Sequence, residues 1–139
     1  MQFLRKWLVR HKKMQASPDV ASERAARGAT YLDDVDPDWY IRIDPELLSL
    51  ADGGCCVLGQ LHGTFLQGLS RAGLFNMSSA PRASLSPVDY GFMCSQTGDD
   101  ASETREYGNL NRAWRFELRR RCARSKLVFE LAEEPALIE

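Results

Sequence analysis

The amino-acid sequence predicts a single small α+β domain dominated by helices, with about three core helices and one or two short strands. Three observations lead to this prediction. The chain has 139 residues, of which 44% are hydrophobic and 27% charged, which is typical of one globular domain. Apolar residues recur at helical spacing in several separate segments. Two short stretches, one after residue 39 and one near the C-terminus, are the candidates for strands.

The first thirteen residues are predicted to form a basic amphipathic helix. Its apolar stripe consists of Phe3, Leu4, Trp7 and Leu8. We expect this helix to pack on its own domain; a true start at Met14 and a membrane-surface anchor are the alternatives. The segment lacks the long apolar stretch and cleavage site of a signal peptide. Residues 14–132 are then the globular domain, and residues 133–139 an acidic tail.

The first core helix is predicted from Pro18 to Leu32. Ser17 supplies an N-cap, Pro18 the first helical position and Asp19 an acid in the first turn. The stripe expected to be buried has mostly small side chains, namely Val20, Ala21, Ala25, Ala26, Ala29 and Leu32. Small residues let another helix approach closely. That stripe faces either inward or a second copy of the chain, so a homodimer is possible.

An acidic stretch broken by Pro37 ends this helix. The following segment, Trp39 to Leu50, contains a short alternation of polar residues with Ile41 and Ile43, which favours a strand as far as Pro45.

The central helix is predicted from Cys55 to Leu69, with Leu58, Leu61, Phe65 and Leu69 on one face. It contains Gly59, Gly63 and Gly68, and each costs about 1 kcal/mol relative to alanine. We expect close backbone packing to offset that cost. Residues 73–91 are predicted to be a long connection and Thr97 to Glu106 a polar loop.

The last core helix is predicted from Leu110 to Arg124, followed by a terminal strand from Lys126 to Leu131. Its buried stripe is expected to be Leu110, Trp114, Leu118 and Cys122.

Composition limits the class of protein. The net charge of −1 argues against a chain whose whole surface binds nucleic acid or anionic lipid. Four cysteines without a secretory signal favour reduced thiols and a cytoplasmic location. The sequence has no apolar run of about 18 residues, so we expect no membrane span.

Several short motifs occur in a recognisable order: Tyr31-Leu32-Asp33, then Trp39, then Ile43-Asp44, then Cys56-Val57-Leu58-Gly59-Gln60, and finally Leu110 with Trp114. In this order the chain resembles a family of small uncharacterised proteins of actinobacteria and their bacteriophages. The resemblance covers roughly residues 25–121 and implies a phage or prophage origin and a cytoplasmic site of action. It implies no activity and no catalytic residues.

A thiol enzyme centred on Cys56 is one hypothesis, because the start of a helix lowers the pKa of a thiol. The only nearby base is His62, which a single helix would place on nearly the opposite face, so a buried structural cysteine is favoured. The cysteine spacing does not fit zinc, and the acidic stretch does not fit a calcium loop. We expect neither a metal nor a cofactor, and no enzymatic activity.

Basic residues are concentrated in the last predicted helix. The arginine ridge, as we call it, consists of Arg112, Arg115, Arg119, Arg120, Arg121, Arg124 and Lys126. The members expected to contact nucleic acid are Arg112, Arg115, Arg119, Arg120 and Arg124. The ridge suggests a nucleic-acid-binding protein as the alternative function. The competing interpretation is that these arginines pair with the acidic stretch or are simply solvated.

The favoured function is non-catalytic binding of a host or phage protein, with modulation of a host process as its most concrete form. The charge is segregated between basic chain ends and an acidic middle, which suits specific protein recognition. The residues predicted to contact the partner are Trp7, Asp36, Asp38, Trp39 and Tyr40. The competing interpretation is that the aromatic residues belong to the core.

Overall fold

The computed structural model describes residues 17–71 and 86–133. In order, they form helix α1 (Pro18–Val35), a 3₁₀ helix (Trp39–Arg42), helix α2 (Val57–His62), helix α3 (Phe65–Arg71) and the long helix α4 (Asp100–Glu133). The predicted N-terminal helix and nearly all of the acidic tail lie outside the described residues. No helix within those ranges has the length and apolar character needed to cross a bilayer.

Helix α1 packs lengthwise on α4. The predicted N-cap is confirmed, since Ser17 Oγ accepts a hydrogen bond from the Val20 N–H at 3.3 Å. The small-residue stripe is confirmed as a packing face at Ala21, Ala25, Ala29 and Leu32, which are buried together with Gly28. Val20 and Ala26, also predicted to be buried, are only half-buried. At Gly28 a Cβ atom would lie 2.0 Å from the Tyr90 carbonyl oxygen and 2.9 Å from the Trp114 ring. The absence of a side chain there brings α1 directly against the core.

Three aromatic side chains form the centre of the core. The rings of Trp39 and Trp114 meet edge to face with centroids 5.8 Å apart, and Phe92 stacks on Trp114 at 5.4 Å. Trp114 also donates its indole N–H to the Gly91 carbonyl oxygen at 2.7 Å. Such aromatic pairs add about 0.5–1.5 kcal/mol each beyond the burial of their area.

The α+β prediction is wrong, because the described residues contain helices and no strand. The segment predicted as a strand after Trp39 begins with a 3₁₀ helix and continues as turns. Asp38, at φ 66°, turns the chain so that Trp39 enters the core. The alternation of Ile41 and Ile43 was too short to outweigh this anchoring, since a strand also needs a pairing partner.

The predicted central helix is two short helices. They separate at Gly63, which caps α2 at φ 99°, a conformation that glycine adopts without steric cost. Close packing of the other two glycines is confirmed. A Cβ atom would lie 2.2 Å from the Gly53 carbonyl oxygen at Gly59 and 2.5 Å from Leu58 Cβ at Gly68.

Helix α4 is much longer than predicted at both ends. Its first turns occupy most of the segment predicted as a polar loop, and it continues through Lys126–Leu131, which was predicted as a strand; both predictions are wrong. Extending an existing helix gains one hydrogen bond per residue, whereas a strand there would have no partner. Leu110, Trp114 and Leu118 are buried as predicted, but Cys122 is exposed. Each four-residue step rotates the side chain by roughly 40°, so Cys122 turns away from the core.

Candidate functional site

The acidic end of α1 meets the middle of α4 at Arg121. The guanidinium of Arg121 donates to Asp33 Oδ2 at 2.8 Å and to Glu117 Oε2 at 2.5 Å, and lies 5.8 Å from the centre of the Trp39 ring. Asp33 also accepts the Trp39 indole N–H at 2.9 Å. The hydrogen bond from Arg121, with a smaller contribution from the Trp39 N–H, lowers the pKa of the Asp33 carboxyl against the effect of its partial burial. The pairing between the arginine ridge and the acidic stretch, which was the competing interpretation, therefore occurs at Arg121.

Of the residues predicted to bind a partner protein, one is not at the surface. Trp39 is fully buried in the core, so its side chain does not reach a partner. Asp36 pairs with Arg42, and Asp38 accepts a long hydrogen bond from the Tyr40 hydroxyl at 3.5 Å. Trp7 lies outside the described residues.

The five arginines predicted to contact nucleic acid divide into two groups. Arg115 donates to the carbonyl oxygens of Leu48 at 2.8 Å and Pro45 at 3.2 Å, so it holds the loop before α2 against α4. Arg112 donates to the side chain of Asn109 within the same helix. The other three members, Arg119, Arg120 and Arg124, are exposed, and none has a carboxylate within 4 Å among the described residues.

The solvent-facing side of α4 carries only positive charge between Arg105 and Lys126. Residues seven apart in a helix lie on nearly the same side, and four such positions are basic: Arg105, Arg112, Arg119 and Lys126. We call these four the basic row. Both acids in this part of the helix, Glu106 and Glu117, point inward and are buried. Arg105 was missed because its segment was predicted to be a loop.

The last three turns of α4 extend beyond the packed domain. Here Leu127, Val128, Phe129 and Leu131 are between 56% and 62% exposed. We call Arg124, Leu127, Val128 and Leu131 the distal surface. Val128 and Arg124 also line an open groove of about 330 Å³ whose other wall includes Tyr40 and Asp33. This surface was missed because the run Leu127 to Phe129 was predicted to be a strand. The sequence does contain a signal for a continuous helix, since it has no glycine or proline between Leu110 and Glu134.

Cys56 acts as the N-cap of α2. Its Sγ accepts the Gly59 N–H at 3.2 Å, and the side chain is 2% exposed. Burial raises the pKa of the Cys56 thiol, although the Gly59 N–H opposes this effect. The site therefore favours a buried neutral thiol that caps a helix over a thiolate nucleophile.

A second buried polar cluster joins α1 to the start of α4. Glu106 Oε1 accepts from the Arg24 guanidinium at 3.0 Å, from the Ser95 N–H at 2.9 Å and from the Ser95 hydroxyl at 3.1 Å. Glu106 is 1% exposed. Because three donors surround one oxygen, this carboxylate fixes the segment before α4 against α1.

The side chains of residues 17–71 and 86–133 provide no group of three or more potential ligands that would hold a metal ion. No protein-family model, curated protein or solved structure matches the chain.

Proposed function

We propose that this chain is a non-catalytic binding protein whose distal surface docks on a partner protein. The observation that supports the proposal is the extension of α4 beyond its own core, with three large apolar side chains of the distal surface facing solvent. Leu131 follows Leu127 by four residues and Val128 by three, the spacings with which the apolar side chains of a helix enter a groove.

The energetics favour a role in binding. Burying a leucine or valine side chain stabilises a protein by about 1.5–3 kcal/mol. Because these three side chains are exposed in the isolated chain, most of that stabilisation is available to a complex. Contiguous exposed apolar residues on a small domain commonly mark an interaction surface. The packed part of α4 nucleates the helix, so the distal turns are already ordered for docking.

The charge around the distal surface indicates the chemistry of the partner. Arg120 and Arg124 have no carboxylate partner among the described residues, and they flank the apolar side chains. A groove with an apolar floor and an acidic rim is complementary to this pattern. With the phage origin that the sequence resemblance implies, the partner is a host or phage protein, and the complex forms in the cytoplasm.

A photo-crosslinking amino acid at Val128 or Leu131 of the full-length protein tests the proposal in a nuclease-treated actinobacterial lysate. We expect one partner to crosslink from these two positions and not from Thr104, an exposed residue near the start of the same helix. The double substitution Leu127→Ser and Leu131→Ser, with a crosslinker at Val128, should abolish the product. Equal yields from all three positions would contradict the proposal, and a product containing only this chain would identify a second copy as the occupant.

A second candidate function, nucleic-acid binding, is supported by the basic row. Its four side chains span about 31 Å along α4, and both acids between Arg105 and Lys126 are turned inward. For contacts from four cations, the logarithm of the affinity for duplex DNA should fall with the logarithm of salt concentration with a slope of about −3.6. Replacing Arg112 and Arg119 by glutamine should reduce that slope by about 1.8. The absence of binding in a fluorescence anisotropy titration at low salt would remove this candidate.

A further inference from the structure

Three side chains with nitrogen donors line one cavity on the face of the domain formed by α1, α2 and α3. Arg42 comes from the end of the 3₁₀ helix, His62 is the last residue of α2 and Arg71 the last of α3. The cavity has a volume of about 410 Å³. The chain thus brings two guanidinium groups and an imidazole from three separate elements to one place.

Positive charges outnumber negative ones in this cavity. Its one carboxylate, Asp36, pairs with Arg42, while Arg71 has no carboxylate within 4 Å among the described residues. Burial lowers the pKa of His62; Arg71 and Arg42 lower it further, against the opposing effect of Asp36. At neutral pH the imidazole is therefore uncharged, with an N–H donor and a lone pair. The cavity carries one positive charge in excess and has donors on several sides.

We propose that this cavity binds the phosphate group of a phosphate monoester. A planar carboxylate is satisfied by a single guanidinium fork, whereas the three terminal oxygens of a phosphate ester accept hydrogen bonds from several directions. Arg71, Arg42 and His62 supply donors from three elements. Val35 and Leu61 also line the cavity and offer apolar contact to the organic part of the ester.

Proton nuclear magnetic resonance of the full-length protein tests this inference directly, because the chain has only two histidines. The substitution His11→Gln leaves His62 as the single imidazole signal. A bound dianion stabilises the imidazolium, so phenyl phosphate should raise the measured pKa of His62 by about one pH unit. We expect phenyl phosphate to bind at least about ten-fold more tightly than inorganic phosphate or benzoate, a difference of ~1.4 kcal/mol.

Two substitutions should change the affinity in opposite directions. Arg71→Gln removes the unpaired guanidinium and should weaken phenyl phosphate binding at least about ten-fold, whereas Asp36→Asn frees Arg42 and should strengthen binding. Arg105→Gln, at an exposed position of α4 away from the cavity, is the control and should leave the affinity for phenyl phosphate unchanged. Val35→Glu, at a position that is 51% exposed, places a carboxylate at the rim without disturbing the core and should also weaken binding.

The proposal is overturned if phenyl phosphate shifts the His62 titration no more than sodium chloride at equal ionic strength. It is equally overturned if Arg71→Gln and Val35→Glu bind phenyl phosphate as the parent does. Tighter binding of benzoate than of phenyl phosphate would instead identify a carboxylate site and reject the phosphate assignment. Circular dichroism of each variant checks that it retains the fold.

Discussion

Asp33 at the end of α1 and Arg121 in the middle of α4 form an ion pair at 2.8 Å directly beside the Trp39 ring. Arg121 also pairs with Glu117, one turn earlier in α4. One guanidinium therefore connects two helices and lies against the aromatic core. The contact marks the point where α4 leaves the domain. Beyond it the side chains of residues 122–132 are exposed, except Ser125, which lines the groove next to Tyr40.

The first prediction concerns the dependence of stability on pH. Because Arg121 lowers the pKa of Asp33 in the folded state, Asp33 stabilises the fold above its usual pKa of about 4, and this contribution is lost as the pH falls through the lowered value. Asp33→Asn should reduce the free energy of unfolding at pH 7 by about 0.5–1 kcal/mol, a modest value because the carboxylate is 41% exposed and screened by solvent. In urea titrations, the difference from the parent should shrink below about pH 4.

Asp34→Asn is the control for this prediction. The Asp34 side chain is exposed and forms no ion pair within the described residues. Its substitution should leave the unfolding free energy unchanged to within about 0.5 kcal/mol at either pH. Equal effects of the two substitutions at pH 7 would show that the Asp33 contact does not stabilise the fold.

Local sequence signals predicted the start of α1 better than the start of α4. Ser17 and Pro18 define the start of α1 through backbone chemistry that acts within one turn, so the sequence predicts it directly. The first turns of α4 are held by Glu106, which accepts from Arg24, far away in the chain, and from Ser95, just before the helix. Such tertiary contacts override local polarity and are not visible in a window of sequence.

The candidate sites were only partly predictable for the same reason. Helical spacing correctly placed Arg119 and Arg124 on the outside of a helix. It did not reveal that Arg115 donates hydrogen bonds to backbone carbonyl oxygens, nor that Trp39 is in the core. Exposure of Val128 depends on where the rest of the domain ends, which periodicity does not encode.

The second prediction compares two glycines within helices. A Cβ atom at Gly28 would overlap the Tyr90 carbonyl oxygen, so Gly28→Ala should cost about 1–3 kcal/mol, as overpacking does. At Gly108 the only neighbour is the flexible end of Arg112 at 3.9 Å, so Gly108→Ala should stabilise the protein by up to about 1 kcal/mol. Thermal unfolding followed by circular dichroism measures the change in stability of each variant and shows whether it is a loss or a gain. Stabilisation by Gly28→Ala would contradict the close packing of α1 on the core.

The third prediction concerns the buried carboxylate of Glu106. Glu106→Gln removes the negative charge that pairs with the Arg24 guanidinium and should reduce the free energy of unfolding by about 1–3 kcal/mol. The loss is limited because Arg24 is 16% exposed and also donates to the Ser95 hydroxyl. Glu130→Gln, at an exposed position of the same helix, should have an effect below about 0.5 kcal/mol. Both values follow from urea denaturation at pH 7. If Glu106→Gln were neutral, the negative charge of Glu106 would not contribute to stability.

The fourth prediction separates the packed part of α4 from its distal part. Leu118 is 2% exposed, so Leu118→Ala should cost about 2–5 kcal/mol. Leu127 is 56% exposed, and Leu127→Ala should change the free energy of unfolding by less than about 0.5 kcal/mol. Hydrogen exchange should agree, with the slowest amides up to about Arg121 and less protected, although still helical, ones from about Lys126 onward. A large loss of stability in Leu127→Ala that grows with protein concentration would mean that a second copy covers the distal surface, because a contact between chains stabilises by mass action.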